Sequence, residues 1–140
     1  MKICTSCGAK FSDSSWRCPS CSRSPQVVEG FLSFAPEESQ CSEGFQASHF
    51  AKLAAAEAGN FWFRSRNQLI SWAIQRFFPA ARNCCEIGCG TGFVLSGVKI
   101  ACPSLLLCGS EIFSTRLGFA KERLENVELY QMDARRIPFV

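Results

Sequence analysis

The sequence predicts an α/β fold, a parallel sheet with crossover helices, preceded by a small cysteine-rich module. Three observations carry that expectation. Two Cys-x-x-Cys pairs fall within residues 1–30, where large apolar residues are few. Helix-period and strand-like apolar stretches alternate along the rest of the chain. A glycine loop, "EIGCGTG" at residues 86–92, lies between the first of those strands and the helix that follows it.

The bulk composition suits an ordinary soluble globular domain, with 47% apolar and 19% charged residues in 140. No apolar run is long enough to span a membrane. "MKICTSCGAK" has no apolar core of signal-peptide length, so the expected location is the cytoplasm. A net charge of +3 without clustered Lys and Arg gives only weak support for a nucleic-acid partner. Ten cysteines without an export signal point to metal ligation and reduced core thiols rather than disulfides.

The chain divides into three parts. Residues 1–30 have too little apolar content to fold without a staple. Residues 31–48, "FLSFAPEESQCSEGFQAS", read as a linker. Residues 49–140 form the main body. There, residues 49–58 are strong helix formers ended by Gly59 and Asn60. A second helix is expected over 61–78, with Leu69, Ile70, Ala73, Ile74 and Phe77 on its apolar face and Pro79 helping to stop it. Cys84, Cys85 and Ile87 read as a short buried strand, and 91–101 as a helix stopped by Pro103. The run at 105–108, "LLLC", suits a parallel strand covered on both faces. Ser114 is the expected N-cap of the next helix, which turns Leu117, Ala120 and Leu124 to one side. Val127, Leu129 and Tyr130 begin a third strand that ends at Met132 and Asp133. Strand, helix, strand, helix, strand implies parallel pairing through right-handed crossovers.

Cys4 and Cys7 form one pair, Cys18 and Cys21 the other, with ten residues between them. Each pair can turn two thiolates toward one ion, and a hairpin between them completes a four-sulfur tetrahedron, which favours Zn2+. Gly8, just after the first pair, fits a turn that needs positive φ. Such a closed site leaves no position for catalysis. Cys41, Cys84, Cys85, Cys89, Cys102 and Cys108 read as small core residues or inert surface thiols. Cys89 lies in the glycine loop but has no basic neighbour to make it a nucleophile.

Gly88, Gly90 and Gly92 place bare backbone at the carboxyl end of a strand, where open α/β sheets bind ligands. The dinucleotide pattern Gly-x-Gly-x-x-Gly would need glycine where Phe93 stands, which weakens a nicotinamide-cofactor reading. Three acids end three consecutive expected strands. Glu86 precedes the loop and suits an ammonium group. Glu111 can accept from both ribose hydroxyls, and Asp133 from the exocyclic amine of adenine.

In order and spacing, "CCEIGCGTGFVL", "CGSEIF" and "QMDARRIPF" resemble the first three motifs of class I S-adenosylmethionine-dependent methyltransferases. The stretch "NFWFRSRNQLISWAIQRFFP" resembles the helix before the first motif in a bacterial branch of that family, the type 11/12-like domains. The paired cysteines followed by "VVEGFLSF" resemble zinc-ribbon leaders of some of these enzymes. The resemblance spans 60–140 and implies a Rossmann-like, three-layer αβα methyltransferase sheet behind a zinc ribbon. It implies that Glu86 with Gly88, Cys89, Gly90 and Gly92 holds the methionine part of S-adenosylmethionine. Glu111 would hold the ribose, Ile112 would also contact the cofactor, and Asp133 with the Ala134 backbone would read the adenine.

The family's sheet has seven strands, and this sequence supplies three of them. The expectation is therefore the N-terminal part of a methyltransferase domain, truncated at its C-terminal side and inactive alone, with no nameable catalytic residue or methyl acceptor. Trp62 reads as core and Arg64 and Arg66 as solvated, the alternative being a lid with Arg66 on the cofactor carboxylate. His49 reads as a surface or first-turn helix residue. The competing function is a ribbon that binds RNA or protein in front of a non-catalytic α/β scaffold.

Overall fold

The computed structural model describes residues 1–39 and 47–140, with the side chains of 47–49 outside the description. Cys41 and the side chain of His49 therefore lie outside the described residues.

The ribbon begins with β1 (Lys2–Ile3) and β2 (Lys10–Phe11), an antiparallel pair. Two strands follow that the sequence reading did not anticipate. β3 (Gln26–Val28) and β4 (Phe31–Ser33) form a hairpin closed by Glu29 and Gly30, both at positive φ (52° and 83°). Two-residue turns of that kind match the twist of the flanking strands. The linker reading of 31–48 thus fails over Phe31–Ser33: Phe31 joins the main core, and β4 belongs to the main sheet. A 3-10 turn (Pro36–Glu38) follows.

The body contains α1 (Ala47–Glu57), α2 (Phe61–Phe77), β5 (Asn83–Ile87), α3 (Phe93–Ala101), β6 (Leu106–Glu111), α4 (Ser114–Arg123) and β7 (Glu128–Gln131). The sheet order is β3-β4-β7-β6-β5, parallel except for the β3–β4 hairpin. Leu95, Val98, Leu107, Leu117, Ala120 and Leu124 form the core, with Ile70 and Ile74 packed against it. This places α2, α3 and α4 on one face of the sheet.

On the other face, Trp16 of the ribbon packs edge-on against Phe34, Phe139 and Tyr130, with ring centroids 4.7, 5.5 and 5.6 Å away. Lys2 lies over the Trp16 ring at 4.5 Å and donates to the carbonyls of Asp13, Ser14 and Ser15. The amide of Ile3 donates to the Pro138 carbonyl at 2.9 Å, so the last residues of the chain run beside β1. The β5–β6 side of the same face carries an open groove of about 1020 Å³, lined among others by Cys85, Leu106, Cys108 and Val140. Leu106 is 71% exposed there, so the apolar run at 105–108 is not covered on both faces.

Three local expectations are corrected. The buried face of α2 holds Asn67 and Ser71 beside Ile70 and Ile74, while Leu69 and Phe77 are exposed. The Asn67 amide donates to the Phe93 carbonyl at 2.8 Å, and a Cβ on Gly97 would sit 2.2 Å from its Oδ1. A polar residue and a bare helix surface thus bring α2 against α3, which the apolar period could not signal. Ser114 is the first residue of α4 rather than its cap; Phe113 holds the cap position, and the Ser114 hydroxyl is buried without a partner among the described residues. Trp62 is 61% exposed rather than core, and Arg64 and Arg66 are also exposed.

Candidate functional site

The ribbon's chemistry is set by two matching turns. The Gly8 amide donates to the Cys4 carbonyl and the Ser22 amide to the Cys18 carbonyl, both at 2.9 Å, and Gly8 and Ser22 both take positive φ. The four sulfurs of Cys4, Cys7, Cys18 and Cys21 lie within 4.8 Å of one another. The Cys4–Cys21 and Cys7–Cys18 separations are both 3.7 Å. Four sulfurs about 2.3 Å from a central zinc define tetrahedron edges of about 3.8 Å. The separation is far beyond a disulfide bond of about 2.05 Å. The amides of Cys7 and Ser6 hold the Cys4 thiol down to about 6, against the cost of burial, which favours the thiolate a metal needs. The donor set fits a zinc ion.

The glycine loop joins β5 to α3. Gly88, Gly90 and Gly92 adopt φ of 78°, 52° and 74°, a region that side chains disfavour. The amides of Gly88 and Cys89 both donate to the Ser110 carbonyl at 2.8 Å, tying the loop to β6. A Cβ at Gly88 or Gly90 would meet none of the described residues within 4 Å. Gly92 serves a second need. A Cβ on it would lie 2.8 Å from Leu124 and 3.1 Å from Ala120, so α4 packs directly on its backbone.

Glu86 and Glu111 lie at the carboxyl ends of β5 and β6, Asp133 lies two residues beyond β7, which ends at Gln131 rather than at Asp133, and each has distinct surroundings. Glu86 carries a buried oxygen, Oε2, with no hydrogen-bond partner among the described residues. Burial pushes its carboxyl up to about 7, against the opposing pull of the Arg66 charge and the Leu95 amide. Glu111 is 5% exposed and closes the loop from the side. It accepts from the amides of Gly90 at 3.3 Å and Ile112 at 2.9 Å, and pairs with Arg116 at 3.5 Å. Asp133 is clasped by Arg135, whose Nε lies 2.9 Å from both carboxylate oxygens. That partner and the Arg135 amide hold its carboxyl down to about 2. Ala134 follows it and is exposed. Cys89 is buried, and its thiol is pushed up to about 12 by that burial, in keeping with an inert role.

Sequence reasoning missed a cluster beneath the loop. The Thr91 hydroxyl lies 2.7 and 2.8 Å from the two Glu57 oxygens, and Arg123 reaches Glu57 at 2.7 Å. Glu57 is the one acid in the alanine-rich first helix, the only signal that could have singled it out. Nothing in the sequence marks Arg123.

No protein-family model and no curated protein matches the sequence. Solved structures do match. DesVI of Streptomyces venezuelae superposes with a TM-score of 0.51 and 22% identity, over 65% of this chain and 37% of its own. CalS10, an amino pentose methyltransferase of Micromonospora echinaspora involved in calicheamicin biosynthesis and solved with S-adenosylmethionine bound, superposes at 0.50 with 27% identity. That match covers 65% of this chain and 36% of CalS10. The chain shares its fold with S-adenosylmethionine-dependent methyltransferases. It spans little more than a third of the length of these two methyltransferase-fold structures. Among the described residues, no helix is long and apolar enough to cross a membrane.

Proposed function

We propose that the chain is the cofactor-binding part of an S-adenosylmethionine-dependent methyltransferase, with a structural zinc ion held by Cys4, Cys7, Cys18 and Cys21. One observation carries the cofactor reading: the buried oxygen of Glu86, without a partner among the described residues, on the strand that runs into the glycine loop. A buried carboxylate oxygen without a donor is costly, and a ligand ammonium group satisfies it. Glu86 then holds the amino group of the methionine moiety, against the backbone of Gly88, Cys89, Gly90 and Gly92. Glu111 takes the ribose hydroxyls beside Ile112. Asp133 keeps lone pairs beyond those used by Arg135 and reads the adenine with the Ala134 amide.

The bound cofactor supplies an electrophilic methyl group on a sulfonium. The chain's own residues bind and orient, which is much of what an in-line displacement requires. The zinc has no open coordination position and stays outside the chemistry. Residues 1–25 act as a metal-held module and residues 49–140, with the β3–β4 hairpin added to their sheet, as the cofactor domain.

Calorimetry with S-adenosylhomocysteine and, separately, NAD tests the reading. Saturable heat with the first and none with the second is expected. The reverse preference, or no heat with either, would overturn it.

A further inference from the structure

We infer that Thr91, seated on the pair that buried Glu57 makes with half-buried Arg123, is the positioning residue that fixes the glycine loop for its ligand; this rests on the cofactor reading above. A segment with three glycines has more backbone freedom to lose than any other, so it binds well only if something else orders it first. Its two side chains, Cys89 and Thr91, are 6% and 3% exposed and point into the protein. Cys89 lies in the apolar core, which gives contact without direction. Thr91 gives direction. Its hydroxyl donates to the Glu57 carboxylate and accepts from Arg123 at 3.2 Å. Arg123 also donates to the Ala54 carbonyl at 3.2 Å, so the C-terminal turn of α1 and the end of α4 meet at this one hydroxyl.

The flanking amides carry that placement outward. The Gly90 amide reaches Glu111 at 3.3 Å, and the Gly92 amide reaches the Cys89 carbonyl at 2.8 Å. A shift at Thr91 therefore moves the loop backbone and the ribose-side acid together. Taking the Glu57 carboxylate out of water offsets much of what its pairing with half-buried Arg123 gains, so fixing geometry is the better account of this pair. None of the three residues is among the acids assigned to the cofactor.

The test measures S-adenosylhomocysteine affinity of the whole chain by calorimetry, and amide exchange at Gly90 and Gly92 without ligand. Thr91→Val keeps the shape and removes the hydroxyl; Thr91→Ser keeps the hydroxyl. We expect Thr91→Val to bind about tenfold more weakly, the scale of one hydrogen bond, and to exchange faster at both glycines. Thr91→Ser should restore affinity to within about twofold, a rescue that simple loss of packing would not give. Parent-like affinity and exchange in Thr91→Val would overturn the inference while leaving the cofactor reading intact. If that variant does not fold, Glu57→Gln is read in the same way: weakened binding supports the inference and unchanged binding overturns it. Failure of the parent chain to bind S-adenosylhomocysteine overturns the cofactor reading itself, and the inference with it.

Discussion

The ribbon buries Cys4, Phe11 and Cys18 with Ala9 beside them, whereas the body buries Leu95, Val98, Leu107, Leu117, Ala120 and Leu124 in one contiguous core. Both regions use positive-φ turns, at Gly8 and Ser22 in one and at Gly88, Gly90 and Gly92 in the other. They use them in opposite directions. In the ribbon the turns gather four thiols in an arrangement that fits an ion, and on the proposed reading the ion supplies the folding energy that the small cluster lacks. In the body the core already supplies the energy, and on the same reading the turns stay open for a ligand that folding does not need. On that reading one region is built by what it binds and the other is built in order to bind.

The largest expected effect separates the two. Structural zinc contributes about 10–16 kcal/mol of apparent binding free energy in small zinc domains. Chelation should therefore unfold the ribbon and abolish the near-ultraviolet signal of Trp16, while far-ultraviolet helix content persists. Loss of the helices on chelation would break the comparison. Next, Leu117 is fully buried in the body's core, so Leu117→Ala should cost about 2–5 kcal/mol in denaturant unfolding. Elemental analysis of that variant should still find one zinc per chain.

Glu111→Ala sharpens the contrast from the ligand's side. It should weaken S-adenosylhomocysteine binding by roughly 1.5–3 kcal/mol in calorimetry, the range for hydrogen bonds to a charged group. Metal content should not change; equal affinity in variant and parent would remove Glu111 from the site. The smallest effect is a pH dependence confined to the body. With the Glu86 carboxyl at about 7 in the folded chain, its ionised fraction rises about tenfold from pH 6 to pH 8. Affinity for a ligand ammonium should rise by a similar factor over that window, and Glu86→Gln should flatten the curve. Stability moves the other way. The folded group holds its proton above the ordinary value of 4.5, so its contribution falls as pH rises from there to about 7 and is level beyond. A flat affinity profile in the parent chain would detach Glu86 from the ammonium.

Much of the site was legible because its residues carry their reasons locally. Two Cys-x-x-Cys pairs can be read as one tetrahedron from spacing, and a strand running into Gly88, Gly90 and Gly92 marks bare backbone. The β3–β4 hairpin was legible in principle. "VVEGFL" is a short β pattern around a two-residue turn, but its residues fell at the seam between the ribbon and the linker. The face of α2 was not legible. Asn67 is buried because Gly97 on another helix makes room for it, and no periodicity in α2 records that.

The sequence by itself determined the local chemistry: thiol pairs that converge, glycines that admit positive φ, and acids at strand ends. Each follows from spacing within a few residues, where chain geometry leaves few choices. Only the tertiary structure decided what those groups face. It placed β4 beside β7 so that Ser33 donates to Gln131 at 2.7 Å across 98 residues of sequence. It set the ribbon on the sheet through Trp16, left Glu86 with an oxygen unpartnered among the described residues and gave both oxygens of Asp133 to Arg135. It also drew Glu57 and Arg123, 66 residues apart, onto the hydroxyl of Thr91. The physical reason is that burial and ion pairing depend on distance in space, which a pattern along the chain does not encode until the packing of α1 and α4 has been set.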